Sequence, residues 1–210
     1  MTKRNAENLV KRAKEVIKRE AEAVAAICDQ LDVNIKDIVD ILLNCKGHIL
    51  VVGAGTSRAV AQRFAHLLAC CGAPGLAVNA ADALCGGAGA IKQGDVVFAI
   101  SKGGHSNDIN RFIEIAKSRG AKIIAQTENP ESPLAKMSDA VFQIKTVGDV
   151  DPYGMIATGC SIVNSAATDV LCILLLELSG YSKEQFSVTH PEGAVGKRIA
   201  DEKRLRGNVK

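Results

Sequence analysis

Tryptophan is absent and aromatic residues of any kind are scarce, five phenylalanines and two tyrosines in 210 residues. Proteins that hold single strands of nucleic acid stack bases on aromatic side chains set among basic ones, so this scarcity argues against a nucleic-acid partner. The charge distribution agrees. A net charge of +3 is carried by the ends: residues 1–20 hold seven Lys/Arg against three Glu, and residues 197–210 hold six against two acidic residues. The body between them is net negative rather than striped with base. No run reaches the roughly 18 apolar residues of a membrane span. The longest, Val170 to Leu176, reads as a buried helix, so no membrane association is expected. The N-terminus is a charged amphipathic pattern where a secretory leader would have an apolar core. Seven cysteines, at 28, 45, 70, 71, 85, 160 and 172, form no C-x-x-C pair. They do not resemble a disulfide framework and read as small apolar residues of a reducing cytoplasm. Cys85, in a glycine-rich loop, is the exception and a candidate site residue. His, Cys and carboxylates nowhere show metal-ligand spacing, so neither metal nor cofactor is expected. There is no internal repeat.

What is present is an alternation. Apolar residues recur at helical spacing over Asn5–Leu31, a long amphipathic helix whose apolar face needs a partner in the sheet or in another subunit. Asn34 is expected to cap a second helix, Ile35–Asn44. Residues 1–46 thus read as a helical arm, 47–200 as an α/β core and 201–210 as a frayed basic tail. In the core the expected strands are Ile49–Val52, Gly75–Asn79, Val96–Ser101, Lys122–Thr127 and Ala140–Lys145. Helices are expected over Ser57–Cys71, Asn107–Arg119, a short turn opened by Ser132-Pro133, and Cys160–Leu178, with Ala80–Ala90 a Gly/Ala-rich loop, Gly148–Gly159 a polar loop and Ser182–Phe186 a short last segment. Strands and helices alternating at these lengths give a five-stranded, doubly wound parallel sheet with helices on both faces. Nineteen glycines suit close helix-on-sheet packing.

Two turns carry the chemistry. The run G-H-I-L-V-V-G-A-G-T-S-R, Gly47 to Arg58, is a strand that breaks on glycines and opens a helix. Such a turn leaves backbone N–H groups and the positive end of a helix dipole facing one spot, which is an anion site. It is not a complete dinucleotide fingerprint: Arg58 stands where the third glycine would be, and Asn79 lies near the place of the acidic ribose ligand. The second turn, S-K-G-G-H-S-N-D, Ser101 to Asp108, has the same character. In a parallel sheet both turns lie at the carboxyl edge of the strands. One phosphate with a polar body attached fits between them.

These turns, together with A-D-A-L-C-G-G-A-G-A-I (81–91), N-P-E-S-P-L (129–134) and T-H-P-E-G-A-V-G (189–196), resemble the SIS (sugar isomerase) domain family over about residues 35–200. They are closest to its arabinose-5-phosphate isomerase branch, members of which often carry a tandem regulatory domain beyond the point matching residue 200. The resemblance implies a doubly wound sheet holding a sugar phosphate and an aldose–ketose interconversion. Carried over by position, Ser57, Ser101 and Ser106 would anchor the phosphate with the backbone N–H groups of Gly103 and Gly104, and His190 would open the sugar ring; Gly55, Thr56, Lys102 and His105 are expected at the same phosphate end from the turns themselves. Asp108 or Asp151 would move the proton between C1 and C2. Thr56 stands where the branch has lysine, Gly103 where it has serine, and Cys85 and Gly87 where it has histidine and aspartate. Asp108 stands where it has glutamate, and the branch's other glutamate has only Asp149 and Asp151 nearby. The family also implies a homodimer or homotetramer with sites near subunit boundaries, so that His190 would serve a neighbour's pocket. The alternatives are a 6-phospho-3-hexuloisomerase-like enzyme on the same fold, and a non-catalytic sugar-phosphate sensor that keeps the phosphate turns without the proton-transfer set.

Overall fold

A computed structural model describes residues 3–148 and 150–207. Five parallel strands, β1 (Ile49–Gly53), β2 (Gly75–Val78), β3 (Val96–Ile100), β4 (Lys122–Thr127) and β5 (Ala140–Gln143), lie in the order β2-β1-β3-β4-β5. Between and around them run α1 (Lys3–Ala25), α2 (Ile35–Leu43), α3 (Thr56–Cys70), α4 (Ala80–Leu84), α5 (Asn107–Ser118), α6 (Pro133–Met137), α7 (Thr158–Leu178), α8 (Lys183–Thr189) and α9 (Gly193–Gly207). This is the expected doubly wound α/β architecture.

Side chains of a strand alternate between faces, and the two cores follow that alternation. Ile49 and Val51 of β1, Phe98 and Ile100 of β3 and Ile124 of β4 face one side, where α2, α3, α7 and the end of α1 cover them. Val52, Val97, Ala99, Ile123 and Ala125 face the other side, under α4, α5 and α6. Both layers need apolar partners, which is why the central strands read as unbroken apolar runs. On the first face Phe98 meets Phe64 of α3 edge-on, with ring centroids 4.9 Å apart. Arg63 of α3 also grips Asp169 of α7 through two bonds, at 2.6 and 2.9 Å.

Several expected boundaries move for local reasons. The first helix ends at Ala25 rather than Leu31, and a 3-10 turn, Cys28–Gln30, follows. There the Gln30 side chain donates to the Lys145 carbonyl at 3.0 Å and accepts from its N–H at 2.6 Å. That amide occupies the outer edge of the sheet just past β5, so β5 stops short of Lys145. Asn34 does not cap α2: its own N–H and amide donate to Asp32, and its side chain makes no cap bond. Asn79 ends β2 because its side chain caps α4 by accepting from Ala81 N–H at 3.2 Å. The stretch 80–90 is therefore a short helix and a 3-10 turn, Gly87–Ala90, rather than a loop. Residues 201–207 continue α9, with Glu202 pairing to both Lys183 and Arg198. They are not a frayed tail, and residues 208–210 lie outside the described residues. Finally, α7 is long and apolar enough to cross a membrane by length and composition, beyond the seven-residue run seen in the sequence, and half of that stretch is buried inside the fold.

The Phe64–Phe98 contact lies at the centre of the first core, both rings fully buried. Phe98→Ala is expected to lower the unfolding free energy by about 3–5 kcal/mol, measured by urea denaturation followed by circular dichroism.

Candidate functional site

The strand order reverses between β1 and β3, and at that switch point α/β sheets open a crevice at their carboxyl edge. Gly53 and Ile100 are register partners at the ends of β1 and β3. The two sequence-predicted turns, 53–57 and 101–106, therefore leave the sheet side by side, about 4.8 Å apart at their origin.

Each turn depends on a glycine where backbone comes too close for a side chain. A Cβ on Gly53 would sit 2.5 Å from the Ser57 carbonyl oxygen, so only glycine lets the first turn of α3 fold back on the strand end. Gly104 has φ +68, and a Cβ there would meet the buried Ser132 Oγ at 2.1 Å. Ser132 in turn caps α6, accepting from Ala135 N–H at 3.3 Å. The Gly104 carbonyl accepts from Leu134 N–H and from the Asn110 amide, both at 3.3 Å. The second turn is thus locked from behind while its other side stays open.

Three helices begin at this edge, α3 at Gly55, α5 at Ser106 and α7 at Ala157, and none has a side-chain cap bond. The shorter α4, α6 and α8 are capped by Asn79, Ser132 and Ser182. The leading N–H groups of α3 and α5 are left for a ligand, beside the half-buried hydroxyls of Ser57, Ser101 and Ser106 and the exposed Thr56. Lys102 and His105 are exposed on the second turn.

Not every predicted residue joins them. Asp108 is exposed in the first turn of α5 and lines a groove between α5 and α6 with Arg111 and Lys136. The Asp151 carboxylate accepts from the N–H groups of Tyr153 at 2.8 Å, Ile156 at 3.0 Å and Met155 at 3.4 Å. Desolvation acts to raise its pKa, but these N–H groups outweigh it and hold the carboxyl below its ordinary value. It ties the 151–156 loop together. Asp149 lies outside the described residues. Cys85 ends α4 with an exposed side chain. No group of three or more His, Cys, Asp or Glu among the described residues is arranged to hold a metal ion.

His190 lies elsewhere. It follows α8 with its ring stacked on Phe186 at a centroid distance of 3.9 Å. Nδ1 lies 3.1 Å from the Phe186 carbonyl, which can only accept, so in the neutral ring Nδ1 carries the proton and Nε2 presents a lone pair. Its neighbour Thr189 lies 3.4 Å from the Tyr181 hydroxyl, and the Tyr181 ring packs where a Cβ of Gly72 would be. Gly72 follows the far end of α3, the length of that helix (about 22 Å at 1.5 Å per residue) from Ser57. Within one chain His190 is therefore at the opposite edge of the sheet from the two turns.

A residue passed over in the sequence stands at the right edge. Glu128 follows β4 directly. Its N–H donates to the Lys102 carbonyl at 2.9 Å, and its carboxylate lies 4.0 Å from the Lys102 ammonium. Its signal was position alone, a carboxylate at the carboxyl end of a central strand.

Because its folded pKa is depressed, the Asp151 latch contributes fully above the ordinary carboxyl range and is lost as pH falls through that range and below it. Amide hydrogen exchange over residues 151–156 is expected to rise in acid for the native chain, and to be high already at neutral pH in Asp151→Ala.

The SIS domain family model matches residues 41–162. Arabinose 5-phosphate isomerase of Pseudomonas aeruginosa is 34% identical over 187 residues, which are 89% of this chain and 57% of that protein. The enzyme of the same name from Escherichia coli K12 is 30% identical over 186 residues, again 89% and 57%. The chain therefore spans somewhat more than half the length of these relatives. Among solved structures, a candidate sugar-phosphate isomerase from Listeria monocytogenes superposes with a TM-score of 0.86 at 30% identity, covering 91% of this chain and 100% of that one. A protein of Escherichia coli CFT073, solved in complex with arabinose 5-phosphate, superposes with a TM-score of 0.83 at 26% identity and the same coverage. The paired turns at the switch point, the sheet order and the family match over more than half of the sequence lead to one conclusion: the chain belongs to the SIS domain family.

Proposed function

We propose that the protein is a sugar-phosphate isomerase that interconverts an aldose phosphate and its ketose, in the manner of its arabinose 5-phosphate isomerase relatives. The observation that carries this reading is the pair of uncapped, hydroxyl-bearing turns at the β1/β3 switch point. In it, Ser57, Ser101 and Ser106 donate to the phosphate together with Thr56 and the backbone N–H groups of Gly55 and Gly103, while Gly104, whose N–H donates to the Ser101 carbonyl at 3.2 Å, shapes the turn. Lys102 adds positive charge and His105 a ring N–H. Ring opening needs an acid or base, and His190 is assigned that role through its Nε2. Asp108, exposed at the start of α5, is a candidate proton-transfer group, while Asp151 holds its loop at the sheet edge.

The distance of His190 from the turns of its own chain makes this an oligomeric enzyme in the proposed reading, a homodimer or homotetramer in which one protomer's His190 completes its partner's site. The exposed Leu9, Val10 and Ile17 on α1, and Ile162 and Ile173 on α7, supply apolar surface for such an assembly. The seven free cysteines fit a reducing compartment, and we assign the enzyme to the cytoplasm.

A sensor without turnover is the second reading, favoured by Thr56 in place of the branch's lysine. One experiment separates the two. Purified protein is incubated with aldose and ketose pentose 5-phosphates and hexose 6-phosphates, and product is followed by NMR. Interconversion is expected; binding seen as a thermal shift, with no interconversion of any pair, would establish the sensor. Ser101→Ala and Ser106→Ala are each expected to weaken phosphosugar binding about tenfold, the cost of roughly 1.4 kcal/mol for a lost charge-assisted bond. His190→Asn is expected to abolish turnover. Hybrids refolded from His190→Asn and Ser101→Ala/Ser106→Ala chains should recover part of the wild-type rate, because half-sites of the two kinds then combine.

A further inference from the structure

The proposed reaction needs a carboxylate over C1 and C2 of the open sugar, and among the described residues the sequence candidates are uncharged, otherwise occupied or set on another groove. Thr56 carries no charge, Asp151 is occupied by three backbone N–H groups, and Asp108 lines the groove on the α5–α6 side. We infer that Glu128, paired with Lys102, is the general base that moves the proton. This rests on the isomerase reading.

The end of β4 is built for it. Glu128 is half-buried, its side chain 25% exposed. Its Oε1 accepts from Thr146 N–H at 3.1 Å, which leaves Oε2 without a hydrogen bond among the described residues. The backbone is fixed on both sides: Thr127 Oγ1 and Glu128 N–H both donate to the Lys102 carbonyl at 2.9 Å, and the Gln143 amide donates to the Glu128 carbonyl at 3.3 Å. The phosphate turn and the carboxylate are thereby clamped to one another. A sugar anchored at the end of β3 reaches the end of β4 one strand away, about 4.8 Å.

Unfilled hydrogen-bonding capacity lies beside this carboxylate. Among the described residues only three buried side-chain polar atoms find no partner, and two of them flank Glu128: Gln126 Oε1 and Thr146 Oγ1. Gln126 is two residues before Glu128 and 1% exposed. Its Nε2 is held by Asn164 Oδ1 at 2.8 Å, which fixes the amide plane and leaves its oxygen as a free acceptor. Buried polar atoms are seldom left unpaired. Sugar hydroxyls are the donors and acceptors that would satisfy these two.

The step balances without an external oxidant or reductant. Glu128 takes the C2 proton of the open aldose; the C–H electron pair becomes the C1=C2 bond, and the C1 carbonyl oxygen becomes the enediolate oxygen. The O2 proton then passes to O1, Glu128 returns its proton to C1, and C2 becomes the carbonyl.

The test uses the full chain and a pentose 5-phosphate pair. Glu128→Gln keeps an acceptor for Thr146 N–H. It is expected to lower kcat at least 100-fold, with KM and the thermal shift by the same phosphosugar within about threefold of wild type, and to lose incorporation of solvent deuterium at C1 and C2. Glu128→Asp withdraws the carboxylate by one methylene and should lower kcat tenfold or more at unchanged KM, which decides the matter if Glu128→Gln does not fold. A Glu128→Gln enzyme, or failing that a Glu128→Asp enzyme, that keeps kcat within threefold and still exchanges deuterium overturns the inference while leaving the isomerase reading intact. A wild-type chain that binds phosphosugars but neither turns them over nor exchanges deuterium overturns both.

Discussion

The parallel pairing of β1 with β3, with Gly53 opposite Ile100, is the constraint on which the site depends. Each strand alone ends in a glycine turn that opens a helix, a common arrangement. Pairing them at the point where the chain reverses its winding direction brings two sets of unpaired helix N–H groups to one crevice. A single helix N-terminus contributes about half a positive charge. Two converging on the same space, with serine hydroxyls between them and no side-chain cap on either, make an anion the natural occupant. A one-residue slip of the register would carry Phe98 to the α5 face and Ala99 to the α3 face, so the packing that buries Phe98 against Phe64 also fixes where the turns emerge.

Site and core are joined again at Gly104. Its positive φ and its contact with the buried Ser132 place the second turn directly on the cap of α6. The turn therefore has no freedom to collapse into the crevice it borders. A binding turn held from behind stays in place without a ligand, so little ordering cost falls on the binding step.

How much of this was legible follows from the range of each interaction. The five strands, the long apolar α7 and both glycine turns are set by local pattern and by glycine, and all are readable in the sequence. The errors came where a side-chain bond, whether across the chain or two residues away, overrides the local pattern. Gln30 caps the edge beside β5 from 115 residues away, and Asp32 rather than Asn34 accepts at the start of α2. Asn79 nucleates a helix inside a stretch whose glycines suggested a loop. The site shows the same division. Ser57, Ser101 and Ser106 stand on the paired turns because motif and position coincide. Glu128 was missed because its meaning lies in Lys102, twenty-six positions earlier, and in Thr146, eighteen later. The position of His190 was likewise invisible, since it depends on Tyr181 packing over Gly72.

That last position bears on why the chain has the shape it does. Proposed as the ring-opening group, His190 on the far side of the sheet is of no use to the turns of its own chain. In the proposed reading it becomes useful only when a second protomer sets its α8 end against the first protomer's crevice. The residues that the proposed assembly would bury are separate from the two glycine turns: a long α1 with Leu9, Val10 and Ile17 exposed, and an α7 with Ile162 and Ile173 exposed. Burying each of these side chains is worth on the order of 1.5–3 kcal/mol, comparable to the anchoring of the phosphate itself. Assembly and catalysis are then coupled through geometry: the half-site with the phosphate turns forms as each chain folds, and the half-site with His190 joins it only on association. Under that reading a change in the α1 stripe reduces turnover while leaving the two turns intact, whereas a change at Gly104 disturbs the turns while leaving the apolar stripe intact.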